Sequence, residues 1–433
     1  MVASEGLWPV PGEAPSTEDL SRCVHCGLCL SSCPTYLVTG LEVESPRGRI
    51  HFAKLIDEGC SELTPAIARH WDLCLQCRAC EAVCPSGVAY GRIQERARAQ
   101  LAGTPGVQAQ RRLRRLMLRN VIARPRLLAA AMAPARWYTG SRVRGTVRGT
   151  GVLRLLGRLG TGEQQLPARS GRPFRPGDAL AQPVEARERA LLFSGCVMGE
   201  LFGEVHRATG RVLARAGVAA EAPAEQGCCG ALHAHDGDLE FARKLARRNI
   251  AAFEGSDLPI VVNSAGCGAA MKEYGDLLSG DAKWAGRARA FAARVKDASE
   301  YLAEVGGDIP GRLAAKVAYQ DACHLAHAQG IREQPRELLR GIAGCELIET
   351  PGADVCCGAA GIYSLVQPAM SAGLRSRKAG QFREARPEIV VTANPGCQMQ
   401  YNAAVAEAGI DARVMHLMEV LDEAHAAAEQ SQR

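Results

Sequence analysis

The stretch CVHCGLCLSSCP, residues 23–34, returns as CLQCRACEAVCP at residues 74–85. In each run three cysteines stand two residues apart, a fourth follows after three more, and proline comes next. That is the spacing with which bacterial two-cluster ferredoxins hold [4Fe–4S] clusters. Three thiolates at this interval wrap a turn round one cubane, and the fourth leaves the loop to serve the neighbouring cluster. The expected ligand sets are therefore crossed: Cys23, Cys26, Cys29 and Cys84 for one cluster, and Cys74, Cys77, Cys80 and Cys33 for the other. Zinc is the competing reading. It takes four ligands, usually as two separated pairs, and two complete four-cysteine runs ending in proline do not have that form.

Helix signals surround both runs. Ser16 with Asp19 reads as a capping box ahead of the first. Ser45-Pro46 reads as an N-cap and first helical residue, with Gly59 as the stop. Thr64-Pro65 repeats the start signal and opens a helix with Ile67 and Trp71 on one face. Residues 1–102 are thus expected to form a helical, bacterial-ferredoxin-type domain around two clusters. Arg47, Arg49 and Arg78 lie close to the cysteine loops. Each is expected to be a solvated surface arginine, the alternative being a charge that favours the reduced cluster.

The chain has 433 residues, 47% of them apolar and 23% charged, an ordinary make-up for a soluble protein of two or three domains. Eighteen cysteines would be disulfides in a secreted protein and thiolate ligands in a reducing compartment. Met1–Ser21 has no basic start followed by an apolar run, and no stretch reaches the roughly 18 consecutive apolar residues of a membrane span. The expected location is the cytoplasm.

Charge is uneven. Residues 103–175 hold sixteen arginines, no lysine and one acid, Glu163, in a chain whose net charge is +6. Within the connecting segment 103–187, Arg111, Arg112, Arg114, Arg115 and Arg119 alternate with Leu113, Leu116, Met117 and Leu118, and Trp137 and Tyr138 follow. Such a stretch suits an anionic membrane surface or a quinone-side contact, an acidic protein partner, or a solvated linker. Nucleic acid, which arginine could also serve, is not an expected partner.

The remainder is duplicated. Apolar runs Ala190–Phe193, Pro259–Val262, Ala314–Tyr319 and Glu388–Thr392 each precede a cysteine: Cys196, Cys267, Cys323 and Cys397. Cys-Cys-Gly triplets lie between them at 228–230 and 356–358. The offsets Cys196 to Cys323, Cys228 to Cys356 and Cys267 to Cys397 are 127, 128 and 130 residues, which marks two copies of one module. They are placed at 188–312 and 313–433. Strands alternating with helices imply parallel sheets, with the cysteines at the carboxyl ends where such sheets bind ligands. The fold class is α+β multidomain: a helical two-cluster domain followed by two α/β Cys-Cys-Gly modules.

Each module offers four thiols: Cys196, Cys228, Cys229 and Cys267, then Cys323, Cys356, Cys357 and Cys397. Adjacent cysteines do not chelate one ion as a spaced pair does, but they can bridge different irons. One or two further iron–sulfur clusters are expected here, with zinc, a structural site or free thiols as alternatives. His233, His235, His324 and His327 flank these cysteines and are expected to hydrogen-bond or lie at the surface rather than ligate. Cys60 and Cys345 fit no pattern and read as ordinary buried thiols.

No G-x-G-x-x-G follows a strand, since Gly149-Thr150-Gly151 lacks the third glycine at Arg154, and there is no P-loop. The chain is therefore expected to carry neither flavin nor nicotinamide, and no catalytic residue is assigned. Two-electron chemistry falls to a partner.

Seven passages resemble known proteins: Cys23–Tyr36, Glu44–Ile50, Cys74–Tyr90, Asn263–Leu278, Cys323–Gln329, Cys356–Leu365 and Val391–Gln398. Together the chain resembles the glycolate oxidase iron–sulfur subunits, within a wider family that includes heterodisulfide reductase subunits and the iron–sulfur subunit of anaerobic glycerol-3-phosphate dehydrogenase. The resemblance implies a complex with flavin-binding subunits that oxidise glycolate to glyoxylate. Electrons would pass through this chain toward the respiratory chain at the inner face of the membrane. A related lactate or glycerol-3-phosphate dehydrogenase subunit, or a thiol–disulfide redox subunit, is the alternative. One departure stands out. In heterodisulfide reductase-type modules the last cysteine belongs to a Cys-x2-Cys pair, and here the partner positions are Ala270 and Gln400.

Overall fold

The computed structural model describes residues 8–150, 158–167, 171–306 and 311–431. Its N-terminal helices start where side chains can take up their free N–H groups. Ser16 accepts from Asp19 N at 3.1 Å, Ser45 from Gly48 N at 3.1 Å and Thr64 from Ile67 N at 3.3 Å. Pro46 and Pro65 occupy first-turn positions that need no donor. Gly59, at φ +74°, lies just beyond the helix Pro46–Asp57 in the left-handed region a C-terminal stop requires. Ile67 and Trp71 are buried together with Leu20, Ile50 and Ile56, and Trp8 stacks on Trp71 with centroids 6.3 Å apart.

Among the described residues eight strands form two parallel sheets. The first is built from β1 (Glu188–Phe193), β2 (Val218–Glu221), β3 (Ile260–Val262) and β4 (Val295–Asp297), in the order β2-β1-β3-β4. The second repeats it with β5 (Gly311–Tyr319), β6 (Ile342–Ile348), β7 (Ile389–Thr392) and β8 (Arg413–His416), in the order β6-β5-β7-β8. Leu191 stands opposite Ile260, and Val317 opposite Ile389. The apolar runs read from sequence are the central strands β1, β3, β5 and β7. The outer strands were not foreseen, because a half-covered edge such as Val295–Asp297 or Arg413–His416 lacks the continuous apolar run of a strand buried on both faces.

The two sheets share one core, to which Leu192, Val205 and Val261 contribute from the first and Val317, Val391 and Leu421 from the second. Helices Gly203–Arg215 and Leu417–Ser431 are tied by Arg211 and Arg215, which pair with Asp422 at 2.7 and 2.8 Å. The carboxyl ends of β3 and β7 also meet: Ala265 N donates to Ala393 O at 3.1 Å. The cysteines that follow these strands are thereby set at one junction.

The Arg-rich segment contains helices Gln108–Met117, Pro125–Gly140, Val143–Gly149 and Arg158–Gln165. The first is amphipathic, but with its arginines inward. Arg111 is 2% exposed, whereas Leu113 and Leu116 are 71% and 61% exposed. Arg111 pairs with Asp72 and donates to Asp236 O at 3.0 Å, Arg114 pairs with Asp236, and Arg119 grips Asp238 at 2.6 and 2.7 Å. Asp72 ends a helix of the N-terminal unit, and Asp236 and Asp238 belong to the first module. The segment is thus a strap holding the two together through buried, charge-assisted hydrogen bonds. Cys60 departs from expectation, being exposed, and Cys345 is half-buried on β6.

Two buried histidines lock the sheet junction in neutral form. His416 accepts from Met418 N at Nδ1 and donates from Nε2 to Asn263 O at 2.9 Å. His206 Nδ1 accepts from Asn263 Nδ2 at 3.1 Å. Burial lowers His206 to about 3 and His416 to about 4. The unfolded chain protonates both near pH 6.5 while the folded chain does not, so stability is lost as pH falls from about 6.5 toward 4. The loss is about 1.4 kcal/mol per histidine for each pH unit. Thermal unfolding at pH 7 and pH 5 should show a drop that is smaller in His416→Gln, and an equal drop in both proteins would contradict this account.

Candidate metal centres

Both ferredoxin-type loops take the same backbone path. His25 and Gly27 in the first, and Gln76 and Arg78 in the second, all have φ between +54° and +85°. This left-handed pairing curls the loop so that a backbone N–H turns onto sulfur, as Gln76 N does toward Cys74 Sγ at 3.3 Å. Glycine takes it freely, while Arg78 carries a strain of about 1–2 kcal/mol. Arg78 is held there by ion pairs with Glu81 and with Glu273 of the first module. Gly91 leaves room for it, since a Cβ there would lie 2.5 Å from Arg78 Nε.

The eight thiols line two neighbouring cavities. Cys23, Cys26, Cys29 and Cys84 line one, which Cys80 also touches. Cys33, Cys74, Cys77 and Cys80 line the other. Neither cavity is lined by a carboxylate, and Arg49 and Arg78 face the second, which suits a group held by anionic sulfur. Burial pushes Cys29 up to about 11 and also raises Cys77 and Cys80, so ligation expels protons.

Arg49 is 2% exposed. It pairs with Glu44 at 2.8 Å, donates to His70 O at 2.7 Å and reaches Thr35 Oγ1 at 3.2 Å. Thr35 Oγ1 is in turn 3.2 Å from Cys33 Sγ. The solvated role expected of Arg49 and Arg78 is thus wrong, because Arg49 is buried against Glu44 and Arg78 is held between Glu81, on the helix it caps, and Glu273, 195 positions away. Arg47 is half-buried, bonded to Glu42 and, at 2.9 Å, to His25 O.

In the modules the thiols gather at the carboxyl ends of the strands. Cys196 and Cys228 are 3.8 Å apart, and Cys229 and Cys267 3.3 Å. In the second module Cys323 lies against Cys356, and Cys357 against Cys397. Glycine closes each triplet because Gly230 and Gly358 both have φ +89°. A Cβ at Gly358 would also stand 3.1 Å from Ser371 O and Leu374 Cβ. No two of the cysteines form a disulfide. Among the described residues no three His, Cys, Asp or Glu side chains are arranged to hold a single metal ion, whereas a multi-iron cluster takes its thiolates from around a cavity.

The two modules adjoin the ferredoxin-type loops differently. Leu75, Cys77 and Ala79 pack with Cys356, Tyr363 and Met370, with Cys323 alongside. The first module is reached instead by Gln76 Nε2, which donates to His235 O at 2.7 Å, and by the Arg78–Glu273 pair. His327 is tied to Asp354 O and Arg332, and His235 to Glu95. Gln400 accepts from Gln165 of the strap at 2.7 Å and donates to Ser371. Nothing in the sequence signals the Gln165–Gln400 bond, which spans 235 positions.

Comparison with known proteins follows the same divisions. A 4Fe-4S dicluster domain pattern matches residues 19–88, and a cysteine-rich domain pattern matches twice, at 190–272 and 317–402. A probable glycolate oxidase iron–sulfur subunit of Bacillus subtilis (strain 168) is 38% identical over 418 residues, 94% of either chain. The chain belongs to the glycolate oxidase iron–sulfur subunit family. The Escherichia coli (strain K12) member is 34% identical, again over 94% of both chains. The linker region of this family matches residues 109–166, so the likeness extends into the Arg-rich strap. Lactate utilization protein A of Geobacillus kaustophilus is 30% identical but covers 53% of this chain. As a member of the family the chain is an iron–sulfur electron-transfer subunit, with a dicluster [4Fe–4S] domain and two cysteine-rich modules.

Proposed function

We propose that this chain is the subunit of a glycolate-oxidising complex that takes electrons from a flavin-binding partner converting glycolate to glyoxylate, and passes them toward the respiratory chain. The observation that carries the reading is the family linker at residues 109–166, within a likeness running through 94% of the chain. Lactate utilization relatives match about half of it, which favours glycolate over lactate. Domain limits are taken at residues 102, 187 and 312.

Within this reading the ligand sets are crossed, Cys23, Cys26, Cys29 and Cys84 holding one cluster and Cys74, Cys77, Cys80 and Cys33 the other. The cavities lined by these thiols support it. A [4Fe–4S] cluster, when bound, takes up and returns single electrons. The protein places Arg49 and Arg78 beside the second set, where positive charge favours added electrons. Cys26 is exposed, and Val24 and Leu28 around it are 68% and 58% exposed. This apolar rim is where the flavin partner docks. The third and fourth sets, Cys196, Cys228, Cys229 and Cys267, and Cys323, Cys356, Cys357 and Cys397, hold further iron.

The outer face of the strap supports a location at a membrane surface. Leu113, Leu116, Met117, Leu127 and Trp137 are exposed there beside Arg112, Arg124 and Arg126. Among the described residues no helix is long and apolar enough to cross a membrane. Exposed leucines with arginines and a tryptophan suit the anionic inner face of a membrane, which supports a cytoplasmic chain peripheral to the membrane and close to quinone.

Three outcomes are expected. Cys33→Ser removes the electron paramagnetic resonance signal of the cluster bound by the second run and spares the other; loss of the first-run signal alone would reverse the crossed assignment. Anaerobic glycolate, added with the flavin partner, reduces the clusters, and Leu28→Asp slows this at least about tenfold, equivalent to about 1.4 kcal/mol, with iron content unchanged. Reduction by lactate or glycerol 3-phosphate but not glycolate would move the chain to the alternative reading. In vesicle flotation the chain rises with anionic lipid and Trp137→Asp with Leu116→Asp stays at the bottom; an unmodified chain that never floats removes the membrane contact.

A further inference from the structure

The first module supplies four thiols, and Ala270, three residues after the last of them, offers no donor. The structure places another donor beside the same four cysteines. His233 lies one turn beyond the Cys-Cys-Gly triplet, on the short helix Ala231–His235 that starts at Gly230. It is 0% exposed. Among the described residues it is the one histidine whose two ring nitrogens are both buried and both without a nitrogen or oxygen partner. Its polar neighbour is the Cys228 thiol.

The rest of its surroundings are apolar. The ring lies 4.9 Å from Phe241, centroid to centroid. Phe241 packs with Cys196, Cys228 and Leu245, and Ile122 and Ala123 of the strap close the same cluster. With a thiol as its one polar neighbour, this buried imidazole keeps at least one ring nitrogen unpaired, and a buried polar group left in that state calls for a partner absent from the protein atoms themselves. Neutral imidazole is a common metal ligand, giving a lone pair to the metal with no charge to compensate.

The other three histidines considered do not share this state. His235 is bonded to Glu95 at 2.9 Å, His327 to Asp354 O at 2.9 Å, and His324 reaches Cys323 Sγ at 3.7 Å while stacking on His235. In the second module the position 128 residues after His233 is Gly361. The residue three positions after Cys397, where the first module has Ala270, is Gln400, whose amide is bonded at both ends.

The geometry points to His233 as a nitrogen ligand to the iron held by Cys196, Cys228, Cys229 and Cys267, making the first module a four-thiolate, one-imidazole site and the second a four-thiolate site. This rests on the reading that the first module holds iron. A new Fe–N bond forms from a neutral ring, and no electron is transferred in forming it.

The test uses the full-length chain purified without oxygen. Cys267→Ser identifies the paramagnetic signal that belongs to the first module. In the unmodified chain that signal should carry the strong nitrogen hyperfine coupling of a directly bound imidazole. His233→Ala and His233→Gln should lose the signal and the same iron as Cys267→Ser. His233→Cys should keep the iron and lose the coupling. Signals of the two N-terminal clusters, present in every variant, report intact folding, and their reduction by glycolate scores the functional reading separately. The assignment is overturned by weak coupling in the unmodified chain, by full iron and an unchanged signal in His233→Gln, where an amide can replace a hydrogen bond but not a ligand, or by a Cys267→Ser variant that loses no signal.

Discussion

Sulfur that ligates a metal is anionic, and of the sixteen cysteines in the two ferredoxin-type runs and the two Cys-Cys-Gly modules fifteen are buried or half-buried, Cys26 being exposed. Like charges packed in a low-dielectric medium repel strongly, so each set needs compensation built by the surrounding protein. At the second ferredoxin-type set the compensation is Arg49 and Arg78, which face the cavity. Each is fixed by acids behind it, Glu44 for Arg49, and Glu81 and Glu273 for Arg78. The second module uses Lys378, fully buried, which donates to Gln320 Oε1, Gly352 O and Ala353 O. Burial lowers this lysine to about 8, against the pull of Cys357, Cys356 and Cys397. Positive charge is kept near sulfur without touching it, and the acids that hold it face away.

The same logic explains the strap. Its arginines are numerous, yet the central ones pair with Asp72, Asp236 and Asp238. Asp72 and Asp236 stand at the ends of two helices and Asp238 at the start of a third, so the strap fixes the N-terminal unit against the first module. A buried charge pair is weak evidence for stability in itself but is costly to break from one side. That makes it a device for fixing one relative placement of the two units, and the second module, which shares a core with the first, meets Cys77 through Cys356 and Cys323. The leucines left outside by this arrangement, Leu113 and Leu116, become available for contact with something other than this chain.

Local signals in the sequence carried far. The caps at Ser16, Ser45 and Thr64 act over three residues, and β1, β3, β5 and β7 each carry three or more consecutive buried residues, so short-range pattern was enough for them. The duplicated offsets located both modules because each repeats one sheet topology. What stayed hidden depends on contacts distant in sequence. Arg49 reads as a surface residue until Glu44, Thr35 and His70 are folded round it. Cys60 reads as buried because most free cysteines are, yet it follows a helix end at the surface. The inward turn of Arg111 was invisible for the same reason: periodicity gives two faces but not which one meets acids.

Duplication gave two like modules, but their surroundings are no longer alike. The second lies against the ferredoxin-type loop through Cys77, and its Gln400 is clamped by the strap's Gln165. The first meets that loop through hydrogen bonds and an ion pair, and the strap covers its Cys228 with Ile122 and Ala123. Thiols in direct packing contact shorten the separation between the groups they hold, whereas contacts through Gln76 and Arg78 put a layer of side chains between. The second module is therefore better placed to exchange electrons with the N-terminal sites. The first is the better insulated, and Ala270 leaves it open on one side to a cavity lined by Arg78, Glu95 and Glu273. A site of that kind is suited to a different chemical duty from its twin, and the divergence lies in residues outside the shared Cys-Cys-Gly pattern.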